Sequence, residues 1–207
     1  MRSQVLSWLA KNVSEHRLQH ILGVEKMSID LAKHYQLDEE KAGQAGLMHD
    51  LAKFFKPSRL LEMASANQIE IDPVCAENPH LLHADVSAIV ARDEFGVTDE
   101  EILSAIRNHT LGCPEMSDLS CVVFVADALE PNRGDTPELE ALRQESFLNL
   151  YQGVYQTCDY SLKYLLSSRL TIHPRTVLTR NWALQIVKQE LKKSSIDLDK
   201  KERVKIK

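Results

Sequence analysis

His49 and Asp50 stand side by side in the stretch Ala42-Gly43-Gln44-Ala45-Gly46-Leu47-Met48-His49-Asp50-Leu51-Ala52-Lys53, and a histidine beside an aspartate is a compact pair of metal ligands. Imidazole offers a neutral nitrogen, and a carboxylate offers charged oxygens that can bridge two cations, as hydrolytic two-metal centres require. His-Asp dipeptides are common, so the pair gains meaning from its company: His20, His83, His109 and Asp127 follow at wide intervals. Asp127 lies among Val122, Val123 and Val125, where an unpartnered carboxylate costs several kcal/mol. A divalent cation would be a partner for all of these groups at once. His16, His34 and His80 have no such setting and read as ordinary core or surface histidines.

The elements that must position these groups are helical. His20, Val24, Met27 and Leu31 recur at helical spacing, Leu37-Asp38 breaks the run, and a second helix is predicted over about 39–53. Ala42, Ala45 and Gly46 share a face with His49, so a neighbouring helix can approach closely there. Pro57 opens a helix over Ser58–Ala66, and 67–80 reads as an irregular connection with room for a short helix. Another helix starts near Leu81-Leu82-His83 and ends at Phe95-Gly96. Thr98 and Glu101 form a candidate capping box for the helix that carries Ile102, Ile106 and His109; Gly112 and Pro114 stop it. Leu119, Val122, Val123 and Ala126 share a helix with Asp127. Residues 138–168 read as one long helix with the inward stripe Leu139, Leu142, Ser146, Leu150, Val154, Cys158, Leu162 and Leu165. Thr171-Ile172-His173-Pro174 is non-helical, and a last helix runs from Thr176 to about Glu190.

With 207 residues, 43% hydrophobic and 27% charged, the chain can bury one core without disulfides. The expected architecture is all-α: a single helical bundle over 1–190, followed by a basic, disordered tail at 191–207. No apolar run approaches the roughly 20 residues that span a bilayer, and the N-terminus lacks a signal sequence, so a cytoplasmic location is expected. Cys75, Cys113, Cys121 and Cys158 include no Cys-x-x-Cys pair, which fits reduced thiols better than a thiolate zinc site. Net charge is −5, yet residues 192–207 hold seven basic and three acidic side chains. The remaining acidic body repels nucleic acid, and an anionic substrate needs a local cluster of cations.

Six segments carry a resemblance: Arg17-x-x-His20-x-x-x-Val24, Gly46-Leu47-x-His49-Asp50-x-x-Lys53, Leu81-Leu82-His83, Ala105-Ile106-x-x-His109-Thr110-x-Gly112, Ala126-Asp127-x-x-Glu130-Pro131-Asn132-Arg133 and His173-Pro174-x-Thr176-x-x-x-Arg180-Asn181-Trp182. Over about residues 5–188 they resemble the HD-domain metal-dependent phosphohydrolases, and within them the YqeK type, which comprises symmetrical bis(5′-nucleosyl)-tetraphosphatases. The resemblance implies that His20, His49, Asp50 and Asp127 hold one metal ion while Asp50, His83 and His109 hold or face a second, with Asp50 as the bridge. It implies a di-iron centre; the ligand set also suits manganese or cobalt. The chain departs from the family pattern at Ala84-Asp85, where a small residue and often proline follows the histidine, and at Leu111, where a second threonine is common.

Lys53 lies one turn after His49 and Arg17 one turn before His20. By spacing alone Lys53 is as readily a solvated helix-end lysine as a phosphate ligand; the resemblance favours the phosphate. Asp50 and Lys53 are thus the expected catalytic residues. Arg17, Lys53, His109, Thr110, Asn132 and Arg133 are expected to contact substrate, and the irregular segment around Ile172 and His173 to grip a nucleoside. The implied activity is symmetrical cleavage of diadenosine tetraphosphate, and of related dinucleoside tetraphosphates, into two ADP. The alternatives are an HD-type phosphatase of a mononucleotide, an alarmone or a cyclic nucleotide, and a metal-stabilised nucleotide sensor without turnover. The expected partner is a small nucleotide, with a homodimer allowed and neither nucleic acid nor membrane anticipated.

Overall fold

The apolar periodicity is divided into α1 (Arg2–Asn12), α2 (Glu15–His34), α3 (Glu39–Met48), α4 (Pro57–Ala66), α5 (Pro73–Glu77), α6 (His83–Phe95), α7 (Glu100–Asn108), α8 (Asp118–Leu129), α9 (Pro137–Leu148), α10 (Leu150–Ser167) and α11 (Pro174–Lys205) in this computed structural model. Backbone is described for residues 1–205 and side chains for residues 1–193. Among these residues there is no strand, as expected of an all-α bundle, and no described helix is long and apolar enough to cross a membrane. The last helix, expected over Thr176 to about Glu190, starts at Pro174 and runs on as α11 to Lys205, and of the tail expected at 191–207 the side chains from residue 194 onward lie outside those described.

Side-chain caps start the helices that carry the site. Ser14 accepts from Arg17 N at the head of α2, Asp38 from Lys41 N at α3, and Ser117 from Ser120 N at α8; each cap is worth about 1 kcal/mol. The central layer is α2 packed on α3 and α8, with α7 lying across α3 and α8. Val24, Leu31, Ala42, Ala45, Ile102, Ile106, Val122, Val123 and Ala126 are buried between them. Where α3 crosses α2, a Cβ on Gly46 would lie 3.0 Å from the Glu25 Cα and 3.1 Å from the Val24 carbonyl oxygen. The close approach expected from the small-residue face is therefore made, and it sets His49 beside His20.

Three local expectations are corrected. The helix predicted over 39–53 ends at Met48, and residues 49–54 continue as turns. His49 Nδ1 lies 2.7 Å from the Gly46 carbonyl oxygen, the acceptor that another helical turn would use for Asp50 N–H. Ala52 N–H donates to Ser87 Oγ instead of to Met48. Asp99, not Thr98, caps α7: its carboxylate accepts from Glu101 N and Ile102 N, and Lys41 from α3 anchors it at 2.9 Å. The run 138–168 is two helices, because Asn149 leaves helical space (φ −152, ψ 118) and its side chain caps α10 by accepting from Gln152 N. The predicted stripe survives the break, with Leu139, Ser146, Leu150, Val154 and Cys158 all buried.

Candidate metal centre

Three of the four expected ligand histidines sit at a helix boundary and use the same local device. His49 closes α3, His83 opens α6 and His109 closes α7. In each, Nδ1 lies 2.6–2.7 Å from the backbone carbonyl three residues earlier, at Gly46, His80 and Ile106. A carbonyl only accepts, so Nδ1 carries the proton and Nε2 keeps a bare lone pair, the arrangement of a metal-ligating imidazole. His20, in mid-helix, has no free carbonyl within reach. Its Nδ1 meets Glu130 Oε1 at 2.9 Å instead.

All four Nε2 atoms converge on Asp50, which is buried. Its Oδ2 lies 3.5 Å from His49 Nε2 and 3.9 Å from His20 Nε2; its Oδ1 lies 3.3 Å from His83 Nε2 and 3.6 Å from His109 Nε2. Asp127 joins the first side, with Oδ1 at 3.1 Å from His20 Nε2 and 3.5 Å from His49 Nε2. His20, His49 and Asp50 thus gather in one group and Asp50, His83 and His109 in a second, with Asp50 common to both and Asp127 adjoining the first.

The chemistry of the cluster calls for cations. His49 Nε2 and Asp50 Oδ1 are buried and make no hydrogen bond. His83 Nε2 and His109 Nε2 face each other at 3.0 Å, two lone pairs relieved by Thr110 Oγ1 at 3.1 and 2.9 Å and by Lys53 Nζ at 3.1 Å from His83. Burial pulls the His49 pKa down, but Asp50 and Asp127 outweigh it and carry it up to about 10, so in the absence of a cation a second proton sits on Nε2 between the two carboxylates, the place where a metal ion would replace it. On the other side burial, aided by Lys53 and His109, takes His83 down to about 4 against the pull of Asp50. Against the cost of burial, Asp50 and Asp127 are held well below the usual carboxylate range by these histidines. Two carboxylates and bare imidazole nitrogens, oriented by hydrogen bonds at their other ends, fit a pair of divalent metal ions.

The expected substrate residues divide. Arg17 Nη1 bonds Asp50 Oδ2 at 2.9 Å and Arg133 Nη2 bonds Asp127 Oδ1 at 2.7 Å; with Lys53 they form a solvent-accessible cationic rim on the cluster. Thr110 touches both histidines of the second set. Asn132, expected as a free donor, has its amide committed to Glu130 Oε2 at 2.9 Å and the Gln19 carbonyl at 3.3 Å. Ile172 is half-buried, and His173 Nε2 meets Asp72 Oδ2 at 2.8 Å, outside the ligand cluster. Asp85, half-buried beside His83, has its pKa raised by burial against Arg175, Arg107 and His109. Leu111 is buried and its carbonyl accepts from Thr179 Oγ1 at 3.2 Å, which seats the first turns of α11 on the segment after His109. Sequence reasoning gave Glu130 no role, although its place three residues after Asp127, at the end of an apolar helix, was the available signal.

Asp72, Cys75 and His173 also gather closely, yet they form a latch rather than a metal site. Arg175 N–H donates to His173 Nδ1 at 3.0 Å, so Nε2 carries the proton and donates a hydrogen bond to the Asp72 carboxylate. Asp72 Oδ1 meanwhile caps α5 by accepting from Val74 N and Cys75 N. Against the cost of burial, His173 and the Cys75 N–H hold the Asp72 carboxyl below the usual range. Asp72→Ala is therefore expected to lower stability at pH 7 by about 1–2 kcal/mol, the worth of a lost cap. A group whose folded pKa is depressed stabilises in full above its unfolded pKa and loses that contribution as pH falls toward the folded one. The difference from wild type should persist from pH 7 down to about 5 and shrink as pH falls below about 4, measured by urea denaturation; a pH-independent difference would contradict the ionised cap.

A helical bundle whose helices and helix ends deliver this His and Asp set defines a metal-dependent HD protein, and residues 17–132 match the HD domain model: the chain belongs to the HD domain family. Within it, the chain is 36% identical to a symmetrical bis(5′-nucleosyl)-tetraphosphatase of Bacillus subtilis, over 87% of this chain and 96% of that one. It is likewise 36% identical to a protein of the same name from Halalkalibacterium halodurans, over 88% and 97%. A solved structure from Clostridium acetobutylicum, of a predicted HD superfamily hydrolase involved in NAD metabolism, superposes with a TM-score of 0.85 at 30% identity, covering 89% of this chain and 97% of that one.

Proposed function

We propose that the chain is a metal-dependent hydrolase that cleaves diadenosine tetraphosphate, and related dinucleoside tetraphosphates, symmetrically, giving two ADP from the former. The observation that carries this is the placing of Asp50 between two imidazole pairs, one facing each oxygen, under a rim formed by Arg17, Lys53 and Arg133. The two relatives that share 36% of its residues over nearly their full length bear the name of that activity.

Divalent ions in this cluster, iron in our reading, supply Lewis acidity: they lower the pKa of water toward neutrality and neutralise phosphate oxygens. The chain's own part is positional and electrostatic. Asp50 spans the two halves of the cluster. Arg17 and Arg133 pair with the carboxylates of Asp50 and Asp127, and Lys53 Nζ lies against the Nε2 lone pair of His83; with metal ions held by these groups, the three cations would be free for the polyphosphate. They would hold it in register and stabilise charge spreading over the phosphoryl oxygens in the transition state. Register decides the products, because a slip by one phosphate gives ATP and AMP. A nucleoside diphosphate leaves as a weak base, so no general acid is required. Ile172 and His173, in the segment that leads into α11, are the proposed nucleoside contact. Four free thiols, three of them buried, suit the reducing cytoplasm in which we place the protein.

Metal-replete protein incubated with diadenosine tetraphosphate should yield ADP as the sole nucleotide product by ion-exchange chromatography. ATP with AMP would overturn the symmetrical register. Unchanged substrate would overturn the activity and leave a phosphatase of another nucleotide or a nucleotide sensor.

A further inference from the structure

Glu130 is fully buried, ends α8 just after Asp127, and is the one side chain that orients a ligand histidine where the other three use backbone carbonyls. We propose that Glu130 is the positioning residue of the first metal site: it fixes the Nδ1–H tautomer of His20, so that the Nε2 lone pair faces Asp127 and Asp50. The inference rests on the metal-centre reading and is independent of the substrate.

The carboxylate is held as tightly as it holds. Oε1 accepts from His20 Nδ1 at 2.9 Å, while Oε2 accepts from Asn132 N at 2.8 Å and from Asn132 Nδ2 at 2.9 Å. Asn132 is tied in turn to the Gln19 carbonyl, one residue before His20. Arg143 fastens the backbone of the same turn by donating to the carbonyls of Leu129, at 2.7 Å, and Gly134, at 2.5 Å. The space for Glu130 is made by Gly23, where a Cβ would fall 2.1 Å from Oε2. Three donors therefore converge on one carboxylate in a slot that only a glycine leaves open.

This arrangement predicts what substitution does. Glutamine has one oxygen in place of two, so Glu130→Gln either sets its NH2 against the Asn132 donors or turns that NH2 toward His20 and forces the imidazole into the wrong tautomer. The first outcome breaks the two bonds from Asn132 that hold the side chain against His20 and loosens the imidazole, and the second puts the proton on Nε2. A partner of this kind, once lost, typically costs about 10–100-fold in metal affinity. Only the site that contains His20 should be affected.

The test is a manganese(II) titration of the full-length, metal-stripped chain, with free ion followed by electron paramagnetic resonance. In a His83→Ala background, where the first site is left, Glu130→Gln should weaken binding by about 10–100-fold. In a His20→Ala background it has no imidazole to orient and should change binding by less than about threefold, the scatter of independent sites. Gly23→Ala, which keeps every polar group but displaces the carboxylate and presses on the Asn132 amide beside it, should repeat the same pattern with its helical circular dichroism retained. Equal loss in both backgrounds would make Glu130 a general structural residue, and unchanged affinity in the His83→Ala background would remove its role; either overturns the proposal. Wild-type chain that binds no manganese would instead overturn the metal-centre reading beneath it, and a failure of the substrate assignment alone would leave the isotherms as predicted.

Discussion

Asp50→Ala is expected to retain neither metal ion and to lose more than about 10³-fold in turnover of diadenosine tetraphosphate, beyond the upper end of what one missing electrostatic donor costs. The reason is its position. One oxygen lies 3.5–3.9 Å from His20 and His49 Nε2 and the other 3.3–3.6 Å from His83 and His109 Nε2, so removing it takes a charged ligand from both sets. His83→Ala takes a ligand from one set only and should retain about one metal ion per chain. Asp50→Asn separates charge from shape: it keeps the size and one acceptor oxygen, yet it cannot neutralise two cations. Metal analysis after gel filtration, alongside turnover, reads the series, and full metal content in Asp50→Ala would remove the bridge from the account.

Lys53→Ala should behave oppositely, keeping its metal content while losing about 10²-fold or more in turnover, the usual scale for a transition-state donor. Lys53 Nζ sits 3.1 Å from His83 Nε2, the atom that must turn its lone pair to a metal ion, and the side chain is exposed. Metal binding at the proposed second site would therefore displace the ammonium and leave it free to move toward a phosphate. Removing a group that competes with the metal cannot weaken the metal site, so the effect must appear in turnover. Near-normal turnover in fully metallated Lys53→Ala would return this lysine to the role of a solvated turn residue and shift the phosphate clamp to Arg17 and Arg133.

Much of the site was legible because its chemistry opposes its setting. His20, His49, Asp50, His83, His109 and Asp127 are polar groups on faces that periodicity turns inward, and such groups need a shared partner. The helical frame was legible for the same reason of periodicity, and Ala42, Ala45 and Gly46 announced the close crossing that joins His49 to His20. What stayed hidden depends on side chains that meet the backbone or each other at long range. The end of α3 at Met48 follows from His49 capturing the Gly46 carbonyl, an event to which apolar spacing is blind. The break at Asn149 was masked because the apolar stripe continues in phase across it. Asn132 looked like a free rim donor, but its partners are Glu130 and Gln19, the latter 113 residues away. His173 pairs with Asp72 across 101 residues. Neither pairing leaves a local pattern in the sequence.

The central claim is that Asp50 joins two metal ions within this cluster, and anomalous diffraction from crystals of the metal-loaded protein, collected on both sides of the metal absorption edge, tests it most directly. The account predicts two anomalous peaks flanking the Asp50 carboxylate, one on the Oδ2 side among His20, His49 and Asp127 and one on the Oδ1 side between His83 and His109. A single peak away from Asp50, or a second peak held by residues outside these two sets, would contradict it.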